Sequence, residues 1–133
     1  MSETLEQWLA LAEGDYETAL YLLQAGHGKF YPSICFHAQQ CAEKLMKAVL
    51  VQNGQVVPKE HNLRALAKLL KPILPMDVAD LDLVALTTGA VEVRYPGDEP
   101  TLEEVRHYIR TCEQIRDQLL FLLKNTQTGD FTL

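Results

Sequence analysis

Apolar residues recur at every third or fourth position along most of the chain, which is the spacing of one face of an α-helix. The clearest stretch runs from about Leu5 to Leu23, and a longer one runs from about Pro32 to Asn53. Further helical segments start near His61, near Asp77 and at Thr101. No stretch keeps the strict alternation of a half-buried β-strand. The pattern therefore predicts an all-α protein.

Local signals mark the ends of these helices. Thr4 followed by Gln7, and Thr101 followed by Glu104, fit the capping box at a helix start. Gly54 suits the residue just past the end of the long second helix. The connections are short, so consecutive helices are expected to be antiparallel neighbours in an up-and-down bundle of four to five helices. Residues 1–133 are expected to form one domain with a polar, flexible tail at 125–133.

The hydrophobic pattern also predicts which residues form the core. In the second segment we expect the buried stripe to hold Phe36, Ala38, Cys41, Ala42, Leu45, Val49 and Leu50. The fourth segment, from about Asp77 to Val93, should bury Val78, Leu81, Val84, Ala85 and Leu86. Ala38, Cys41 and Ala42 are small enough to let another helix approach closely, which favours a homodimer built on the second helix.

Composition narrows the class of protein. The 133 residues are 47% apolar and 23% charged, as in an ordinary soluble globular domain. A net charge of −6 argues against broad electrostatic capture of nucleic acid, although it permits a local basic pocket. The three cysteines form no metal-binding spacing, so we expect buried thiols and neither metal nor cofactor. Without a membrane-length apolar run or a basic leader, the chain is expected in the cytoplasm.

The second helix carries a row of polar residues at helical spacing. Gln40, Glu43 and Lys47 share a face, with Gln39 and Lys44 beside it. Glu43 precedes Lys47 by four residues, the favourable order for a helical ion pair, worth about 0.2–0.5 kcal/mol. One interpretation is a solvated face stabilised by such pairs. The other is a polar strip that faces a ligand groove or a dimer partner.

Three further positions are candidates for chemistry. His61, at the start of the third helix, is either a capping residue or a group that both donates and accepts hydrogen bonds. Pro96 forces Tyr95 into an extended conformation and so projects Arg94, which would bind a phosphate or pair with a carboxylate such as Glu43. His107 shares one side of the last helix with several charged residues, which is typical of a solvated face.

These motifs together resemble the HEPN domain family. The resemblance runs through Trp8, Ala12 and Asp15, then the segment from His37 to Ala48. It continues through His61-Asn62-Leu63 and Arg94-Tyr95-Pro96. It implies a bundle of four or five helices, a homodimer, a nucleotide-binding role and a minimal nucleotidyltransferase as partner.

Some members of this family are metal-independent ribonucleases, and some of those are toxins silenced by their partner. Such members usually carry an arginine followed four to six residues later by a histidine. In this chain the next histidine after Arg94 is His107, so the sequence departs from the nuclease pattern.

Three functions follow as hypotheses. The first is a non-catalytic, nucleotide-binding partner of a minimal nucleotidyltransferase, including pairs of the toxin–antitoxin type. Its groove would contain Gln40, Lys44, Lys47, His61, Arg94 and Tyr95. The second is a ribonuclease in which Arg94 stabilises the charge developing on the phosphate and His61 or His107 moves protons. The third is a scaffold dimer without a ligand.

Overall fold

The described residues fold into five α-helices and one short 3-10 turn. The computed structural model describes the backbone of residues 4–91 and 96–127 and the side chains of 4–90 and 96–124. The elements are α1 (Leu5–Ala25), a 3-10 turn (Gly28–Phe30), α2 (Tyr31–Gln52), α3 (Leu63–Leu70), α4 (Asp80–Val91) and α5 (Leu102–Gln127). These residues contain no β-strand, so the predicted all-α bundle is confirmed. None of the helices described is both long and apolar enough to cross a membrane.

Helix α2 is the centre of the bundle and contacts each of the other four helices. Ala38, Cys41 and Ala42 are fully buried inside the chain, and the thiol of Cys41 lies beside that of Cys112 on α5. These small residues therefore pack against the protein's own helices, and the homodimer built on the second helix stays a prediction. Phe36, expected inside, is 44% exposed because it lies on the narrow stripe of α2 that no other helix covers.

The predicted capping boxes are present. The Thr4 amide donates to Gln7 Oε1 at 2.7 Å and the Gln7 amide donates to Thr4 Oγ1 at 3.2 Å. Thr101 and Glu104 make the same reciprocal pair at the start of α5. Gly54 adopts φ +70° just past α2, as expected, because that left-handed conformation strains residues with a Cβ atom.

Helix α3 starts at Leu63, slightly later than expected. The reason is the side chain of Asn62, which accepts hydrogen bonds from the amides of Arg64 and Ala65 and so fixes the helix start there. His61 consequently lies in the connector that precedes the helix.

Helix α4 differs most from its prediction. It starts at Asp80, because Asp77 is held to α5 by two hydrogen bonds between its backbone and the Gln118 side chain. Leu83 and Leu86 are buried, whereas Leu81 is 81% exposed and its predicted place in the core is wrong. The helix end expected at Val93 lies outside the described residues.

A glycine allows α4 to pack closely on α5. A Cβ atom at Gly89 would come within 2.8 Å of the Tyr108 ring, closer than real contacts allow. Gly89 is therefore a packing requirement at this crossing.

Polar contacts join α1 to α5 near the middle of both helices. Arg116 donates two hydrogen bonds to Glu13, at 2.9 and 2.7 Å, and Tyr16 donates to Glu113 at 2.6 Å. The pairs run in opposite order along the two helices, so α1 and α5 are antiparallel. Burial, followed by the carboxylate of Glu113, raises the pKa of Tyr16 to about 12. Helix α5 continues through Gln127, and residues 128–133 of the expected tail lie outside the described part.

Candidate functional site

The polar face of α2 is built around a buried carboxylate. Glu43 accepts hydrogen bonds from Lys47 Nζ at 2.9 Å, from Gln39 Nε2 at 3.1 Å and from the His61 ring. The side chains of Glu43 and Lys47 are each only 5% exposed. The predicted ion pair is therefore confirmed, but it is an interior pair and not part of a solvated face.

Glu43 remains ionised in this setting. Burial raises its pKa, but the hydrogen bonds from Lys47, Gln39 and His61 together outweigh burial, so its pKa is lowered below the ordinary value of 4.5. An ionised carboxylate can only accept hydrogen bonds. The carboxylate therefore fixes the direction of each donor around it.

This carboxylate orients His61. The ring Nδ1 of His61 lies 3.0 Å from Glu43 Oε2, and the backbone carbonyl of His61 accepts a hydrogen bond from Gln39 Nε2 at 2.9 Å. Since Glu43 is an acceptor, Nδ1 must carry the proton in this contact, which leaves Nε2 for a second partner. The His61 side chain is 71% exposed, so a ligand can reach Nε2.

A second buried carboxylate lies on α1. Asp15 accepts a hydrogen bond from Lys44 Nζ at 2.6 Å through one oxygen and lies 2.8 Å from His37 Nδ1 through the other. Gln40 donates to Gln39 at 2.9 Å and so extends the Glu43 cluster along the helix. We call the whole set the α2 network. Its members are Asp15, His37, Gln39, Gln40, Glu43, Lys44, Lys47 and His61.

The structure brings together four of the predicted ligand-binding residues. Gln40, Lys44, Lys47 and His61 all belong to the α2 network. Both lysines are engaged by carboxylates, so their charge is already balanced within the protein. Arg94 and Tyr95 lie outside the described residues, and with them the expected pairing of Arg94 with Glu43.

His107 belongs to a different surface. Its Nε2 lies 3.0 Å from Asp82 on α4, and the residue lines a cavity at the start of α5 together with Tyr108 and Arg110. The two histidines named for proton transfer are therefore held by different carboxylates on different helices.

Sequence reasoning placed Asp15, His37 and Gln39 in its motifs but named none of them as a site residue. A signal was present for Asp15, because it continues the spacing of Trp8, Ala12 and Ala19 on the apolar face of α1. A carboxylate on such a face requires a buried partner. Among the described residues, no group of three His, Cys, Asp or Glu side chains could hold a metal ion. Cys35, Cys41 and Cys112 are buried thiols outside any disulfide, as expected.

Comparison with known proteins gives a family and a relative. No solved structure matches the chain. A protein of Methanocaldococcus jannaschii named a "putative toxin" is 51% identical over 50 residues, which cover 38% of this chain. The matched stretch spans only 30% of the length of that relative. The HEPN domain family matches residues 5–122, nearly the whole chain. The chain therefore belongs to the HEPN domain family.

Proposed function

We propose that this protein is a toxin-like HEPN domain protein that binds a nucleotide as the non-catalytic, cytoplasmic partner of a minimal nucleotidyltransferase. Family membership and the toxin name of the relative support the general class. The contact between the buried Glu43 and the exposed His61 supports a ligand site on this face of α2. The departure from the family's nuclease spacing supports a binding role without cleavage.

The α2 network favours recognition through neutral groups. His61 Nε2 accepts a hydrogen bond from a ribose hydroxyl or a base amine, and the Gln40 amide lies on the same side of the helix. Lys44 and Lys47 hold this surface in place through their carboxylates. Arg94 is proposed to contact the phosphate, since its planar guanidinium matches phosphate oxygens.

Titration calorimetry with ATP tests the binding role. We expect His61→Ala to weaken ATP binding about tenfold, the effect of losing a hydrogen bond worth about 1.4 kcal/mol. His27→Ala, which removes an exposed histidine from the turn after α1, is the control and should bind as the wild type does. Absence of any heat from the wild type with ATP and other nucleotides would contradict the proposal.

A ribonuclease is the second candidate, and the same Glu43–His61 contact favours it. A histidine oriented by a carboxylate is suited to act as a general base. Transfer RNA incubated with the protein in EDTA separates the two functions. Cleavage that disappears in both Arg94→Ala and His61→Ala establishes the nuclease, whereas intact RNA supports the binding partner. His107→Ala decides between the two histidines if cleavage occurs.

The assembly is also a proposal. We propose a homodimer that uses the uncovered stripe of α2, where Phe36 is the large exposed apolar residue. Light scattering after gel filtration should give twice the chain mass for the wild type and the chain mass for Phe36→Ser. A scaffold dimer without a ligand would give the same masses but an unchanged melting temperature with every nucleotide and RNA.

A further inference from the structure

We propose that a cavity beside α3 binds the phosphate group and nucleoside of a free nucleotide, at a second site separate from the α2 network. The cavity has a volume of about 270 Å³ and lies between α3, the connector that follows it and the start of α4. Arg64, Lys68 and Lys71 line it. None of its lining residues lies on α2, so this site goes beyond the proposed function.

The three cations are arranged along one side of α3. They stand four and three residues apart, which places them on one helix face within about 10 Å. Lys68 and Lys71 make no ion pair with any described residue. Arg64 Nε lies 3.4 Å from Asp80, and both side chains are at least half exposed, so this pair is weak. The cavity thus gathers available positive charge on a chain with a net charge of −6.

Apolar side chains also line the cavity. Met76, Val78 and Leu83 are among the apolar residues that line it together with the three cations. Apolar side chains with a few convergent charged groups are typical of a small-molecule site, and this cavity of about 270 Å³ is slightly smaller than the roughly 300 Å³ at which such sites begin. The phosphate would meet the lysines and the arginine fork, while the base and ribose pack on the apolar side chains. A compact cavity of this size favours a free nucleotide over an extended RNA strand.

The position of the lysines also has a structural explanation, and the experiment must distinguish it from ligand binding. Lys68 and Lys71 lie at the C-terminal end of α3, where cations stabilise the helix dipole by about 0.3–1 kcal/mol. That role predicts a small loss of stability on neutralisation and no effect on ligands. Ligand affinity and melting temperature therefore have to be measured on the same variants.

Calorimetry at low salt with ATP, tripolyphosphate and adenosine tests the site. We expect ATP to bind most tightly, because tripolyphosphate lacks the contacts of the base and ribose and adenosine lacks those of the phosphates. Adenosine should bind most weakly, because it makes no contact with the three cations. The double variant Lys68→Gln with Lys71→Gln should bind ATP at least about tenfold more weakly at this site. Lys29→Gln with Lys124→Gln makes the same change of charge elsewhere and should leave ATP binding unchanged.

A gain of affinity provides a second test that misfolding cannot imitate. Asp80→Asn removes the carboxylate that faces the phosphate and frees Arg64, so ATP should bind several-fold more tightly. Unchanged affinity in both Asp80→Asn and the double lysine variant would overturn the proposal. So would binding of a single-stranded RNA oligonucleotide, but not of ATP, that depends on Lys68 and Lys71.

The two sites can fail separately. Binding that is lost in His61→Ala and unaffected by the lysine changes would remove the α3 site and leave the proposed function standing. Binding that depends on Lys68 and Lys71 but not on His61 would support the α3 site and contradict the α2 site.

Discussion

The α2 network and the α3 cavity both contain lysine side chains, but these are paired with carboxylates in the first and exposed to solvent in the second. Lys44 and Lys47 each touch a carboxylate that is almost completely buried. Lys68 and Lys71 face solvent without an ion-pair partner among the described residues. Charge in the first region holds helices together, whereas charge in the second is available to a ligand.

The difference arises from packing and not from spacing. Glu43 and Lys47 are four residues apart on α2, and Arg64 and Lys68 are four residues apart on α3. Helix α2 contacts each of the other four helices, so the polar residues on its covered faces must find partners inside the protein. Helix α3 buries only its leucine face, so its cations stay in water. Charged residues four positions apart therefore form a buried ion pair in α2, whereas in α3 they stay exposed and available to the proposed ligand.

The largest expected effect comes from removing the buried carboxylate. Glu43→Ala leaves the Lys47 ammonium buried without its partner, which should lower the free energy of unfolding by about 3–5 kcal/mol. Urea unfolding followed by circular dichroism measures this loss. The paired change Glu43→Leu with Lys47→Met removes both charges and should recover most of the stability. If Glu43→Ala were as stable as the wild type, the buried Glu43–Lys47 pair would not be important for stability. The contrast between the α2 network and the α3 cavity would then fail.

Removing the second carboxylate should cost less. Asp15→Ala deprives Lys44 and His37 of their partner, but both side chains retain some access to water. We expect a loss of about 2 kcal/mol, within the range for hydrogen bonds to charged groups. The exposed Asp80→Asn change, which breaks only the weak pair with Arg64, is the matched control and should alter unfolding by less than about 1 kcal/mol.

Acid should reduce the contribution of the α2 network to the stability of the fold. The folded protein lowers the pKa of Glu43 below 4.5, so the contribution of this group is complete above about pH 4.5 and declines as the pH falls through the lowered value. Urea midpoints measured from about pH 6 down to pH 3 should therefore converge for the wild type and Glu43→Gln. A constant gap between the two proteins over this range would contradict the cause assigned to the shift.

The sequence predicts those features of the fold that depend on near neighbours. The capping boxes at Thr4 and Thr101 need only a partner three residues away, and both are confirmed. The position of Leu81 depends on which side of α4 meets the bundle, and α4 is apolar around most of its surface. Its periodicity therefore gave no unique inner face, and the prediction failed.

Part of the α2 network was predictable from the sequence, but the burial of its charged residues was not. Helical spacing is enough to group Gln40, Glu43 and Lys47 on one face of α2. Glu43 meets His61 from the connector before α3, and Lys47 Nζ lies 6.0 Å from the centre of the Trp8 ring on α1. Such contacts join residues far apart in the chain, and no local pattern encodes them. The homodimer and the role of Arg94 stay predictions.

The smallest expected effect completes the contrast between the two regions. Lys68→Gln with Lys71→Gln should change the free energy of unfolding without ligand by about 0.5 kcal/mol, because exposed charges at a helix end contribute little. The measurement is the urea midpoint at low salt, where the helix dipole is least screened. With saturating ATP the wild type should gain stability that the double variant lacks. A large loss without ATP would instead make these lysines structural, like those of α2.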